Sequence, residues 1–129
     1  MSDWVHPYYD DVDNMRLAEF VAWHAPDVTV QFANHPPARG HDQMRGAIGH
    51  FWETIGGLKH NISNVWDTGD GTTVVEADID YTRLDGKVVV TPCVTLLHRV
   101  EQGIDSVRIF VDLAPVFAPA EAPADAVTA

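Results

Sequence analysis

Apolar residues recur along this chain with two periods, and the change from one to the other near residue 57 divides it in two. In the first part they stand three and four apart. Val5, Tyr8, Tyr9 and Val12 share one helical face of the segment Trp4 to Val12, with Pro7 confined to the first turns, where a missing N–H is tolerated. Asp13-Asn14 then offers a cap before Leu17, Phe20, Val21 and His24, the spacing of a second helix that Pro26 closes. Asp27 to Phe32 is β-branched and aromatic and predicts a strand; Asn34 to Gly40, with two adjacent prolines, cannot continue a ladder and predicts a loop. Asp42 can cap a third helix, whose Met44, Ala47, Ile48, Phe51, Trp52 and Ile55 recur at helical spacing up to Gly56-Gly57.

From Leu58 onward the pattern alternates and predicts four strands, at about 58–67, 72–83, 87–100 and 104–116. They are separated by Asp67 to Gly71, Asp85-Gly86 and Glu101 to Gly103, all hairpin-type connections. The element order α-α-β-α-β-β-β-β belongs to the α+β class, with the helices on one side of a single sheet. A strongly curved antiparallel sheet wrapped around a helix makes a cone open at one end, a natural place for a hydrophobic small molecule. The segment Ala118 to Ala129 is rich in Ala and Pro, has too little apolar bulk to pack and is expected to be a disordered tail, which leaves 1–117 as the folded domain.

A chain of 129 residues is enough for one domain with a core and too short for two ordinary ones. Its 46% apolar and 21% charged residues are those of a globular protein. Nineteen acidic residues against eight basic ones give a formal charge of −11, which repels a phosphate backbone or an anionic membrane surface, so neither nucleic acid nor membrane is an expected partner. The first residues carry no basic stretch followed by an apolar one, and no run is long enough to span a bilayer, so a cytoplasmic location is expected. Cys93 is the single cysteine, which rules out an intrachain disulfide; a small apolar residue in a strand explains it better than a nucleophile.

In order and spacing, Tyr8 to Asp13, Ala25 to Val30, Pro36 to Gly40, Lys59-His60-Asn61 and Arg108 to Asp112 resemble the SnoaL-like, or nuclear-transport-factor-2-like, superfamily. Ketosteroid isomerase, limonene epoxide hydrolase, scytalone dehydratase and polyketide cyclases are among its members. The resemblance runs from about Tyr8 to Phe117, supports the cone-shaped fold, and leaves the activity open because the same fold hosts many. It implies no cofactor and a homodimer formed through the convex face of the sheet. A ketosteroid isomerase mechanism is disfavoured, since Phe32 and Val94 stand where that enzyme has its carboxyl groups. An epoxide hydrolase mechanism is disfavoured too, with Ile109 at its last-strand aspartate and Glu76 or Ala77 near its arginine.

The dehydratase members set a tyrosine and an aspartate of the first helix against a strand histidine, which the resemblance assigns to Tyr8, Asp13 and His60; a second register selects Tyr9 and Asp10. Imidazole titrates near neutral pH, so a pocket histidine held by a carboxylate can take a proton from a carbon made acidic by a neighbouring carbonyl. A phenol beside it can donate a hydrogen bond to the enolate oxygen that forms. Simpler readings stand beside these: Asp13 as a helix cap, His60 as an exposed polar residue, and Tyr8 as core.

Asp112, within an otherwise apolar strand, is a third acid/base candidate, either paired with Arg108 or at the cavity mouth. Glu76, Asp78 and Asp80 share one strand face, which reads as solvated. His98, among Leu96, Leu97 and Val100, reads as a core or interface residue. Phe32, Phe51, Trp52, Trp66, Val94 and Ile109 are candidates to line either core or ligand cavity. No histidine spacing matches a metal site, so no metal is expected. The sequence thus points to a lyase, isomerase or cyclase acting by acid/base chemistry on a hydrophobic, carbonyl-bearing cyclic molecule; the alternative is a non-catalytic small-molecule-binding module of the same fold.

Overall fold

The computed structural model describes residues 3–118, so all of the expected tail except Ala118 lies outside the described residues. The chain folds as α1 (Val5–Asp13), α2 (Leu17–Ala22), β1 (His24–Phe32), β2 (Ala38–Arg39), α3 (Gly40–Glu53), β3 (Gly57–Asp67), β4 (Thr72–Thr82), β5 (Val88–Val100), β6 (Gly103–Val111) and α4 (Ala114–Phe117). Six strands form one sheet in the order β2-β1-β6-β5-β4-β3. The meander β3 to β6 is antiparallel throughout, as the hairpin connections predict. The sheet as a whole is mixed, because β1 runs parallel to β6.

Three expected boundaries move. The first strand begins at His24 and runs through Pro26, because the β1–β6 ladder skips from His24↔Ile104 to Thr29↔Ser106 and Pro26 therefore has no ladder bond to forfeit. Within the predicted loop, Ala38 and Arg39 pair with Val30 and Thr29 as a two-residue edge strand. The last strand stops at Val111, and Ala114–Phe117 turns into a short helix with Pro115 in its first turn, where proline is favoured.

The apolar stripes of the helices meet the inward rows of the strands. Met44, Ile48, Phe51 and Trp52 of α3 and Val5, Tyr8, Tyr9 and Val12 of α1 are all buried. So are Val75, Ala77, Ile79 and Tyr81 of β4 and Thr91, Cys93, Thr95 and Leu97 of β5. Helix α3 packs against β1 and β2, and α1 against β3. Glu76, Asp78 and Asp80 lie on the opposite face of β4, turned away from the core. Among the described residues, no helix is long and apolar enough to cross a membrane.

Candidate active site

The last residue of α1 reaches across to the start of β3. Asp13 holds His60 with both carboxylate oxygens: Oδ2 accepts the backbone N–H at 2.9 Å, and Oδ1 accepts the imidazole Nδ1–H at 2.7 Å. Since a carboxylate oxygen only accepts, the proton of the neutral ring belongs on Nδ1, leaving Nε2 with its lone pair. The His60 side chain is 8% exposed and that of Asp13 21%, so water competes weakly for the contact. Strand alternation puts His60 on the core side with Leu58 and Ile62, while Lys59 and Asn61 face outward.

Four residues before Asp13, and so on the same helical face, the Tyr9 ring lies against the His60 imidazole at a centroid distance of 4.5 Å. Tyr9 is hydrogen-bonded through its hydroxyl to the side chain of Thr95, whose Oγ1 lies 3.6 Å from Cys93 Sγ. Burial pushes the Tyr9 phenol well above its ordinary range, and the Thr95 bond opposes this only in part, so the hydroxyl keeps its proton. Burial likewise raises the Cys93 thiol and the Tyr81 phenol.

Tyr8 has a different partner. Its hydroxyl lies 3.0 Å from Nε2 of His24, whose Nδ1 lies 2.9 Å from the Phe20 carbonyl. The carbonyl can only accept, so Nδ1 carries the proton and Tyr8 donates to Nε2. Burial drives the His24 pKa down to about 4, which keeps the ring neutral.

Tyr8, Tyr9, His60, Tyr81 and Thr95 line a mostly apolar cavity together with Phe32, Phe51, Trp52 and Ile109. The SnoaL-like domain model matches residues 5–107 of the chain, which span all of these residues except Ile109. The protein belongs to the SnoaL-like domain family. A hypothetical protein of Catenulispora acidiphila with a ketosteroid-isomerase-like fold, in complex with trimethylamine, superposes with a TM-score of 0.82 at 20% identity, covering 97% of each chain. TerC, co-crystallised with polyporic acid, gives 0.76 at 15% identity over 86% of this chain and 90% of its own. A Jannaschia protein provisionally described as a SnoaL-like polyketide cyclase gives 0.74 at 23% identity over 92% and 90%. At these identities the likeness is one of fold. No curated protein matches the sequence.

Within this SnoaL-like domain the expected site residues separate into two groups. Asp13 and His60 are joined, and Tyr8, Phe32, Phe51, Trp52 and Ile109 line the same cavity. Trp66 does not; it is 50% exposed, because a register shift between Ile62 and Asn64 moves it to the outer face. Val94 also faces outward, alternating with buried Cys93 and Thr95. Asp112 is exposed after β6, where its Oδ1 accepts the Ala114 N–H at 3.0 Å at the start of α4; neither Arg108 nor the cavity is its partner. Asp10, the aspartate of the second register, is exposed and paired with Arg16. His98 is half-exposed and bound to Asp105 at 2.6 Å. Thr95, Tyr81 and His24 were not foreseen. The four-residue spacing of Tyr9 and Asp13 was the available signal for their shared face.

Proposed function

We propose that this SnoaL-like domain is an acid/base enzyme, a lyase, isomerase or cyclase, acting on a hydrophobic, carbonyl-bearing cyclic small molecule. The observation that carries the reading is the pair of hydrogen bonds that His60 donates to Asp13, with Tyr9 lining the same cavity. His60 Nε2 takes a proton from the carbon next to the carbonyl, and the bonding electron pair moves onto the carbonyl oxygen. The imidazolium that results is held by the Asp13 carboxylate. Tyr9 donates a hydrogen bond to the enolate oxygen. In one consistent direction, Cys93 S–H points to Thr95 and Thr95 O–H to Tyr9, so the phenolic proton is free for the ligand.

The proton on Nε2 then has three possible destinations: a different carbon, giving isomerisation; a departing hydroxyl, giving dehydration; or the oxygen of a second carbonyl attacked by the enolate carbon, giving ring closure. Each balances with these side chains alone. The trimethylamine and polyporic acid held by structural neighbours support a small-molecule occupant. Exchange of ketone α-hydrogens in D₂O, followed by NMR on cyclic ketones such as 2-tetralone, tests the first step. Exchange that is lost in His60→Gln supports the reading. Exchange equal in wild type and variant sinks it, leaving the binding module.

The same proposal includes a homodimer through the outer face of the sheet. Trp66, Val90 and Phe110 there are 50%, 60% and 48% exposed, an apolar surface typical of interaction sites. Sedimentation velocity should show a dimer in the wild type and a monomer in Phe110→Lys; a monomeric wild type ends this part of the proposal.

A further inference from the structure

The cavity beside His60 is small. Its volume is about 50 Å³, whereas an apolar cavity known to take up one benzene molecule measures about 150 Å³. A cyclic substrate therefore does not fit there while the walls stay where they are. On the other side of Phe32, Ile48 and Phe51 lies a second hollow of about 580 Å³, well within the size range of ligand pockets. These three side chains line both spaces and form the partition between them.

Phe51 is the centre of the partition. Its ring meets Phe32 at 4.8 Å, Tyr81 at 5.9 Å and Phe117 at 6.2 Å, each steeply inclined to it. Phe117 sits on α4, and Arg83 fixes that helix by donating to the carbonyls of Pro115 at 3.1 Å and Ala118 at 2.6 Å. Arg83 thus holds an aromatic edge over the outer hollow. The outer lining has no carboxylate, although the chain carries nineteen; its polar groups are His35, His50, Gln43 and Thr54, against a mostly apolar wall. Such a surface accepts an apolar body with a few hydrogen-bonding groups at its rim.

We infer that the two hollows are the halves of one site for an apolar molecule longer than a single ring. Its carbonyl-bearing end lies beside His60, its body lies in the outer hollow, and displacement of the Phe51 ring joins the halves. What happens at the inner end rests on the acid/base reading; the bipartite shape does not. Ala47, exposed on α3 and lining only the outer half, then controls which bodies are accepted.

N-phenyl-1-naphthylamine, a neutral two-part aromatic too large for the inner cavity, tests this by fluorescence and by NMR of the histidine ring signals. We expect the signals of His50, in the outer hollow, and His60, in the inner one, to shift together with one dissociation constant. Ala47→Trp, which obstructs only the outer half, should weaken binding about tenfold or more. A shift at His50 with His60 unmoved overturns the inference, as does a shift at His60 that Ala47→Trp leaves unchanged, or no saturable binding. The wild-type comparison needs no variant to fold. Loss of ketone exchange chemistry would leave these binding results standing, so the two readings fail separately.

Discussion

Asp13 and His60, 47 residues apart in sequence, are joined twice, once through the imidazole and once through the backbone N–H. The backbone bond sets the carboxylate against the strand, and the second oxygen then meets Nδ1. Asn at position 13 could accept through only one oxygen, so it would lose one of the two bonds and the charge that favours an imidazolium. We expect Asp13→Asn to lower turnover by about a hundredfold or more, the scale of general-base effects. Nitrogen NMR of His60 should show the Nδ1-protonated ring in the wild type and a tautomer mixture in the variant. An unchanged tautomer would mean that Asp13 does not orient the ring.

Adjacent tyrosines on α1 should separate cleanly. Tyr8→Phe removes the donor to a buried His24 nitrogen, a loss of about 1–3 kcal/mol of stability. It should leave turnover close to that of the wild type. Tyr9→Phe removes the hydroxyl proposed to meet the enolate and should lower turnover by about a hundredfold, the size of losing one oxyanion donor. Urea unfolding and steady-state rates on both variants decide it. A catalytic defect confined to Tyr8→Phe would reverse the assignment.

The resemblance assigns the role to Tyr8, and that the residues themselves could not rank Tyr8 against Tyr9 has a physical cause. Tyr8 and Tyr9 are 2% and 5% exposed, and hydropathy cannot separate neighbouring positions that are both buried. What could be read was periodic or local: the α3 stripe, the hairpin turns, and the change to alternation at β3. Trp66 shows how alternation fails, since it has the same parity as inward-facing Leu58, His60 and Ile62, and one bulge reverses its face. Val94 was ambiguous because β5 is apolar on both faces. The parallel contact of β1 with β6 joins distant segments that no local pattern links. The Asp13–His60 pair was legible only through family resemblance, because neither residue's surroundings mark it.

Where β1 and β6 begin, glycine is required for two separate reasons. Gly103 has φ near +126°, a region that side chains disfavour. A Cβ there would also lie 2.8 Å from the Trp23 carbonyl oxygen and 3.1 Å from the Ala25 nitrogen, both backbone atoms that cannot turn aside. Gly103→Ala should therefore destabilise the protein by about 2–4 kcal/mol. Gly46→Ala, at an open position within α3, should be neutral or slightly stabilising. Equal melting temperatures for the two variants would contradict the packing described at this junction.

Acid should act on the fold through His24. In the unfolded chain a histidine binds its proton near pH 6.5, but in the folded protein burial holds this one back to about pH 4. Between those values the unfolded state carries the extra proton, so stability is highest above pH 6.5 and falls as the pH drops toward 4. The displacement corresponds to a loss of about 3 kcal/mol. Carboxylates with lowered values, Asp11 among them, add their own loss at lower pH, so wild type alone does not isolate the effect. The double variant Tyr8→Phe/His24→Leu does, because it replaces both members of the hydrogen bond with apolar groups and leaves no donor or acceptor unpaired between them. Urea unfolding from pH 7.5 to 4.5 should show the steep decline in the wild type and a much shallower one in the double variant. Parallel curves would mean that the histidine takes up its proton within the fold.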